Sequence, residues 1–541
     1  MVASLLLALL AAGATTFIQV QGDTLYYGDA QAHLNIARRV LDSQTPGVYQ
    51  IGTVWLPLPH LLMLPLAGED GMWANGLAGA IPVSICFWLA GLLLLLGFRD
   101  VLGSTWAGIT GLSLFALNPN LLYLQATPMT EPIFFAALAG MLFGCVRFVR
   151  KPHAGWALFT GAFALAGVLT RYDGYMVLPF VALFLLWTGG DRRWLWTALF
   201  CAVAVTGPLW WLAHNWWFWG DALEFYRGAY SAKAIYQRQL AAGMSPYPGD
   251  GSYLESARYF LTAARSVAGW PLMVLGGSGA LWGLVRGPRW AVLLLLLPAV
   301  FYIQSMQNAG TPIFVPDLWP YAYYNTRYGL ALLPLLCLGG AVLVRAVVPG
   351  YRPLAAAVAL VACSLPWLVA PGFDNWVVWK ESEINSRQRR QWLGEAATYL
   401  QRLHRPGEEI LLSFGDLTGV LQLVRIPLRE SLHEGNHPRF RASLNRPEFF
   451  LWSEWVLCQS GDEVSRAMQR AVSRGLLYAK VREIRAGNAA PVEIWRRRSA
   501  FDPKDMRLPR NLLPSAGTAA EPAIPTSAED DGQLRDNGED N

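Results

Sequence analysis

Three carboxylates and two arginines stand out, because together these residue types could deprotonate a hydroxyl and hold a phosphate. Asp29 lies in YYGDAQAH, Glu131 in TPMTEP and Asp173 in TRYDGY; Arg171 lies in LTRYDGY and Arg327 in YAYYNTRYGL. An ionised carboxylate can act as a general base, and a guanidinium presents a fork of N–H donors that matches phosphate oxygens. Each residue also has a plain structural reading. Asp29 is placed to cap a helix, Glu131 begins one with Pro132 just inside it, and Asp173 sits in a glycine-containing turn beside Arg171. Arg327 is crowded by Trp319, Tyr321, Tyr323, Tyr324 and Tyr328, so it would snorkel within an interfacial aromatic belt. For the acids the two readings are compatible, since a helix N-terminus favours the ionised form that a base requires.

The chain that must position these groups is built for a membrane. Of its 541 residues 54% are hydrophobic and 15% charged, where soluble chains carry about 25% charged residues. Residues 1–371 hold 19 Lys and Arg against 14 Asp and Glu, whereas residues 372–541 hold 24 of each. The net charge of +5 therefore belongs to the apolar part, which removes the case for a basic nucleic-acid-binding domain. Cys86, Cys145, Cys201, Cys337 and Cys363 lie in apolar runs and Cys458 is alone in the polar part, so neither a disulfide framework nor a four-cysteine zinc site is available.

Residues 2–20 can span a bilayer as a helix and lack a basic segment before them, which reads as a retained anchor rather than a cleaved signal. Further spans are expected at about 74–97, 104–122, 131–149, 155–170, 174–188, 194–212, 270–286, 290–306, 328–346 and 354–371, eleven in all. Alternate connections are short and basic, with Arg99; Arg147, Arg150 and Lys151; Arg192 and Arg193; Arg286 and Arg289; and Arg345 and Arg352. The positive-inside rule makes that side cytoplasmic. The other side takes two long loops, about 21–73 and 213–269, and every acid of the apolar part except Asp100 and Asp191. In the first loop, Ala30, Leu34, Ala37 and Leu41 share one helical face while Arg38 and Arg39 fall elsewhere, an amphipathic helix suited to the interface. The run WLPLPHLLMLPLA after it is interrupted by Pro57, Pro59 and Pro65 and is too short to span.

From about Gly372 the pattern turns to mixed helix and strand: a polar helix near 386–403, a strand EEILLSF, a helix near 462–474 and a hairpin ending EIWRRR. The expected organisation is a polytopic membrane domain over 1–371, an extracytoplasmic α/β domain over 372–500, and a tail over 501–541 whose composition cannot bury a core. HEGNH at 433–437 matches a zinc-peptidase pattern literally, but Gly435, Asn436 and Pro438 disfavour the helix that would bring its two histidines together. His33, His60, His153 and His214 are isolated in sequence and read as packing or interfacial residues. No phosphate-binding glycine loop is present, which argues against an ATP-driven pump.

Taken in order, YYGDAQAHLNIARRVL, WLPLPHLL, TPMTEP, LTRYDGY and NTRYGLALLPLL resemble the GT-C superfamily of membrane glycosyltransferases, in particular bacterial relatives of the protein mannosyltransferase and aminoarabinose transferase group. The likeness covers the arrangement of about the first 371 residues. It implies a GT-C-like fold of about eleven transmembrane helices in the cell (inner) membrane, a polyprenyl-phosphate-linked sugar as donor, and an active site on the extracytoplasmic face. The acceptor, a glycan, lipid or protein, is left open. Many relatives carry a second acid after the aspartate where this chain has Ala30, so no cofactor is assigned and a divalent metal stays open.

The residue types fit that chemistry independently. Polyprenyl phosphate leaves with a charge that cations stabilise, so a general acid is less necessary and one base suffices. Asp29 is then the expected base, Arg171 and Arg327 with Tyr324 hold the donor phosphate, and Glu131 and Asp173 orient acceptor or arginine; one displacement inverts the anomeric carbon. A transporter or flippase of lipid-linked sugars would use the same charged cavity without breaking a bond, and a scaffold presenting the C-terminal domain would tolerate loss of every carboxylate.

Overall fold

The computed structural model describes residues 1–498, and the tail expected from Phe501 lies outside them. The chain divides into two compact units, one formed by residues 1–40 and 51–386, the other by residues 41–50 and those from Arg387 onward.

The first unit is a polytopic α-helical membrane domain. All eleven expected spans are helical, but their lengths are unequal. Seven helical stretches are long and apolar enough to cross a bilayer, and Tyr253–Ala268 with Trp270–Arg286, bent by 114°, makes an eighth. Thr105–Ala116, Ala154–Val168 and Asp173–Thr188 are apolar yet shorter, which corrects the expectation of eleven full spans. Breakers shorten them: Asn118, for example, caps a new helix with Pro119 as its first residue. The proline-rich run is likewise a helix, Pro57–Ala67. Its first prolines fall in the opening turn, where no intrahelical N–H is needed.

Between helices in lipid, apolar burial supplies little driving force, so close backbone packing matters more. Gly279 and Gly339 show this. A Cβ on Gly279 would collide with the Gly339 carbonyl, and one on Gly339 with the Gly276 carbonyl, so Trp270–Arg286 and Leu333–Ala346 meet backbone to backbone.

The helix Gly28–Leu41 buries Ala30, Leu34 and Ala37 as its periodicity requires, while Leu41 is exposed. Its other face is buried too. Gln31, His33, Asn35 and Arg38 are all enclosed, and Arg38 donates to the Ala67 and Gly68 carbonyls at 3.0 and 2.8 Å and pairs with Asp70 at 2.6 Å. The helix expected at the interface is therefore clamped in protein, because its polar side chains find partners there.

Composition and packing place the boundary between units differently. Charge density rises at Gly372, yet the first unit runs to Ser386. The helix Val377–Leu403 supplies buried Val378, Glu381, Ser382 and Ser386 to it. Composition records what faces lipid, not which unit a polar helix packs in.

The second unit is α/β. Strands β1 (Ile410–Leu412), β2 (Ser431–Leu432), β3 (Trp455–Gln459), β4 (Tyr478–Ile484) and β5 (Val492–Arg497) form one sheet in the order β2-β1-β3-β5-β4. β1 pairs parallel with β2 and β3, while β5 pairs antiparallel with β3 and β4. Helix Glu463–Ser473 closes its core with Val464, Ala467, Met468 and Ala471. HEGNH is a turn after β2: the His433 N–H bonds Asn436 Oδ1 at 3.0 Å, and the Asn436 N–H returns to the His433 carbonyl at 2.8 Å. The zinc geometry does not form.

Candidate active site

Each of the three acids singled out from the sequence opens a helix: Asp29 in Gly28–Leu41, Glu131 in Glu131–Arg150 and Asp173 in Asp173–Thr188. The positive end of each helix dipole thus meets a carboxylate. The structure draws all three, with Arg171 and Arg327, into one cluster within the first unit.

Arg327 lies in the 3-10 stretch Thr326–Leu332, directly after Asn325, whose φ of 56° is the left-handed region that asparagine tolerates. Its three nitrogens address three acids. Nη2 donates to Asp29 Oδ2, Nη1 donates to Glu381 Oε1 at 3.1 Å, and Nε lies 3.3 Å from Glu131 Oε1. Arg171 donates from Nη1 to Glu131 Oε1 at 3.0 Å and to Thr130 Oγ1 at 2.5 Å, and from Nη2 to the Tyr302 hydroxyl. Its Nε lies 3.6 Å from Asp173 Oδ1. Glu131 therefore bridges the two cations. The Tyr328 ring sits between them, 5.2 Å from Arg171 Cζ and 4.8 Å from Arg327 Cζ, and the Tyr27 ring lies 4.9 Å from Arg327 Cζ.

Snorkelling does not describe Arg327, whose side chain is 5% exposed; the rings around it are cation–π faces in an enclosed site. Exposure separates the acids as well. The Asp29 side chain is 35% exposed, against 5% for Glu131, 2% for Asp173 and 1% for Glu381. Glu131 Oε2 and Asp173 Oδ1 are buried and accept no hydrogen bond. Tyr324 forms a backbone bridge with Phe314, and the two rings lie 5.7 Å apart.

The turn carrying Arg171 and Asp173 is fixed by a close approach. A Cβ on Gly174 would stand 2.7 Å from the Gly167 carbonyl carbon, so only glycine lets Asp173–Thr188 fold back so tightly on Ala154–Val168.

A family model described as dolichyl-phosphate-mannose-protein mannosyltransferase matches residues 68–217. Comparison with curated protein sequences gives no match. Among solved structures, ArnT from Cupriavidus metallidurans bound to undecaprenyl phosphate is 12% identical, with a TM-score of 0.53, over 89% of this chain and 97% of that one. The apo form of ArnT from the same organism gives a TM-score of 0.55 at the same identity and coverage. The chain has a GT-C fold.

Two parts of the cluster lie outside the residues that the sequence singles out. Glu381 is the first. Its Oε1 accepts the Asn325 N–H at 2.9 Å and its Oε2 the Thr326 N–H at 2.7 Å, together with the Thr326 hydroxyl, in addition to Arg327. It thereby fixes the loop that presents Arg327. A signal existed: Glu381 follows Val378 by one helical turn, on a face continued by Ser382 and Asn385. The second is a histidine pair. His33 and His60, isolated in sequence, are both buried, with Nδ1 of His33 2.9 Å from Nε2 of His60. Burial, reinforced by Arg171 and Arg327, pulls His33 down to about 3, so it is a neutral neighbour of the cluster.

Among the described residues no three His, Cys, Asp or Glu side chains are arranged to hold a metal ion. The acids turn toward guanidinium nitrogens rather than converging on a point, and Ala30 follows Asp29. The donor set does not fit a metal site.

Proposed function

We propose that the chain transfers a sugar from a polyprenyl-phosphate donor to an acceptor hydroxyl, with inversion, on the extracytoplasmic face of the cell membrane. The GT-C fold supports the donor class, as does the similarity to an ArnT that binds undecaprenyl phosphate. The alternation of basic and acidic loops supports the orientation, with residues from 372 onward outside.

The observation that carries the reading is the Asp29–Arg327 pair, an accessible carboxylate resting on a buried cation. Of the three acids on Arg327, Asp29 is the one an incoming group can replace. Glu381 is locked by backbone N–H groups, and Glu131 is shared with Arg171. Donor phosphate oxygens take the guanidinium donors that Asp29 occupies, and Asp29 is released beside the anomeric carbon. It then accepts the proton of the acceptor hydroxyl as the acceptor oxygen bonds to that carbon and the bond to the phosphate oxygen breaks. Polyprenyl phosphate leaves with its charge stabilised by Arg327 and Arg171, which replace bulk solvent with preorganised donors. Tyr324 borders the phosphate, while Glu131 and Asp173, both paired with Arg171, orient that arginine.

Purified protein in liposomes, given a panel of polyprenyl-phosphate monosaccharides and acceptors of several classes, tests this. Release of polyprenyl phosphate with formation of a new glycosidic bond is expected. Movement of intact donor across the bilayer without cleavage would replace the transferase reading with a flippase.

A further inference from the structure

At the far end of a helix that carries part of the active-site cluster, the first unit has a charged cavity. Glu131 opens and Arg150 closes one helix of 20 residues, about 30 Å at 1.5 Å per residue, so the two sites lie near opposite faces of the bilayer. The cavity, of about 520 Å³, is lined by Arg150, Arg286 and Arg345, by Asp100, and by Trp282 and Trp290 among apolar residues. Asp100 is already committed. Its side chain is 6% exposed and pairs with Arg99 at 2.9 Å, Arg147 at 3.3 Å and Arg150 at 3.5 Å. Arg286 and Arg345 meet no carboxylate among the described residues; Arg345 gives its Nε to the Leu102 carbonyl at 2.8 Å, which leaves its Nη groups for a ligand. The cavity is thus cationic, with one wall formed by the Asp100 ion pairs.

We propose that this cavity binds the phosphate of an anionic phospholipid. Phosphate follows from the guanidinium donors, whose fork matches its oxygens. A lipid rather than a free anion follows from the surroundings. Trp282 both lines the cavity and is 51% exposed, and Leu281, Val285 and Val149 beside it are 67%, 63% and 45% exposed. Acyl chains would run along that apolar flank while the headgroup entered between the helix ends, the placement expected of basic pockets between membrane helices. Trp282 and Trp290 lie near the ends of their helices, Trp270–Arg286 and Arg289–Gln307, where tryptophan is enriched at headgroup level in membrane proteins.

The test uses the full chain in detergent, titrated with dioleoyl phosphatidylglycerol, dioleoyl phosphatidylcholine or inorganic phosphate, with retention read by native mass spectrometry and thermal stability measured in parallel. The variant is Arg286→Gln with Arg345→Gln, outside the active-site cluster; Arg289 and Arg352 remain in the same connections, so the charge bias that orients the chain is preserved. Wild type is expected to retain phosphatidylglycerol at least tenfold better than phosphatidylcholine, and the double variant to lose that preference to within twofold. A second variant, Trp282→Ala, should weaken phosphatidylglycerol retention severalfold without changing charge. Unchanged preference in the double variant, or no preference in wild type, overturns the site. Stabilisation by inorganic phosphate equal to that by phosphatidylglycerol overturns the lipid assignment in favour of a soluble anion.

Discussion

Glu381→Gln isolates what the loop before Arg327 contributes, since the change is nearly isosteric and Glu381 lies behind Arg327 rather than at the accessible edge of the cluster. The carboxylate receives four donors: the Asn325 N–H and Arg327 Nη1 at Oε1, and the Thr326 N–H and hydroxyl at Oε2. Glutamine keeps one oxygen and turns an NH2 group toward the other pair. The Thr326 hydroxyl can rotate and accept from that group, but its N–H, or else the Asn325 N–H and Arg327, is left facing a donor. Breaking a buried charged pair from one side costs about 3–5 kcal/mol. Burial also pushes the Glu381 carboxyl up against the pull of Arg327 and the loop donors, so part of their worth goes into keeping it ionised, and the lower figure of about 3 kcal/mol applies. At about 1.4 kcal/mol per decade, the loop's preference for presenting Arg327 falls on the order of 100-fold. With transfer measured from a short-chain polyprenyl-phosphate sugar, half-saturation by donor should rise tenfold or more while acceptor half-saturation holds. The melting temperature should fall, and Glu383→Gln, two residues along, should change neither kinetic parameter. Wild-type donor dependence in Glu381→Gln would refute the claim that this carboxylate positions Arg327.

Arg327→Lys places one ammonium where three guanidinium nitrogens meet three acids; donor half-saturation should rise about tenfold or more, as loss of about 1.4 kcal/mol requires, and the melting temperature should drop, which an interfacial anchor would not show. Gly174→Ala sets a Cβ against the Gly167 backbone, an overpacking worth about 1–3 kcal/mol, and should lower both stability and transfer, whereas Gly13→Ala, where a Cβ meets open space, should be silent. His33 is held to about 3 in the fold against 6.5 when free, so the unfolded chain takes up its proton first as pH falls. Stability should decline below about pH 6.5, with a contribution from His33 of about 1.4 kcal/mol per unit, and His33→Asn should flatten the decline seen in melting temperatures between pH 6.5 and 4; an unchanged slope would contradict neutral burial.

The membrane class and the second unit were legible because hydropathy and strand periodicity are local signals, and Asp29, Glu131, Asp173, Arg171 and Arg327 could be picked out because charged groups among apolar runs are conspicuous. Their mutual arrangement was not. Arg327 looked like a belt residue because its neighbours are aromatic, and nothing in the local sequence says that Tyr27 and Tyr328 close over it. Glu381 was hidden by the reverse effect: in a charged helix one more carboxylate carries no contrast, although that helix enters the first unit. The His33–His60 contact joins residues whose separate surroundings suggest only packing. Short apolar helices were overcounted as spans because composition reports hydrophobicity and not where Asn118 caps a new helix or Gly174 lets one fold back on its neighbour.

The central claim is that Asp29 is a base released from Arg327 by the donor phosphate, and turnover by Asp29→Asn tests it most directly. Asparagine caps a helix nearly as well as aspartate and leaves Arg327 its contacts with Glu131 and Glu381, but it takes up no proton at neutral pH. The account predicts membrane insertion and melting temperature near wild type, retained binding of undecaprenyl phosphate, and transfer reduced by about 10²–10⁴-fold, the usual worth of a positioned base. Transfer by Asp29→Asn within a few fold of wild type would contradict it and leave Asp29 a helix cap paired with a buried arginine.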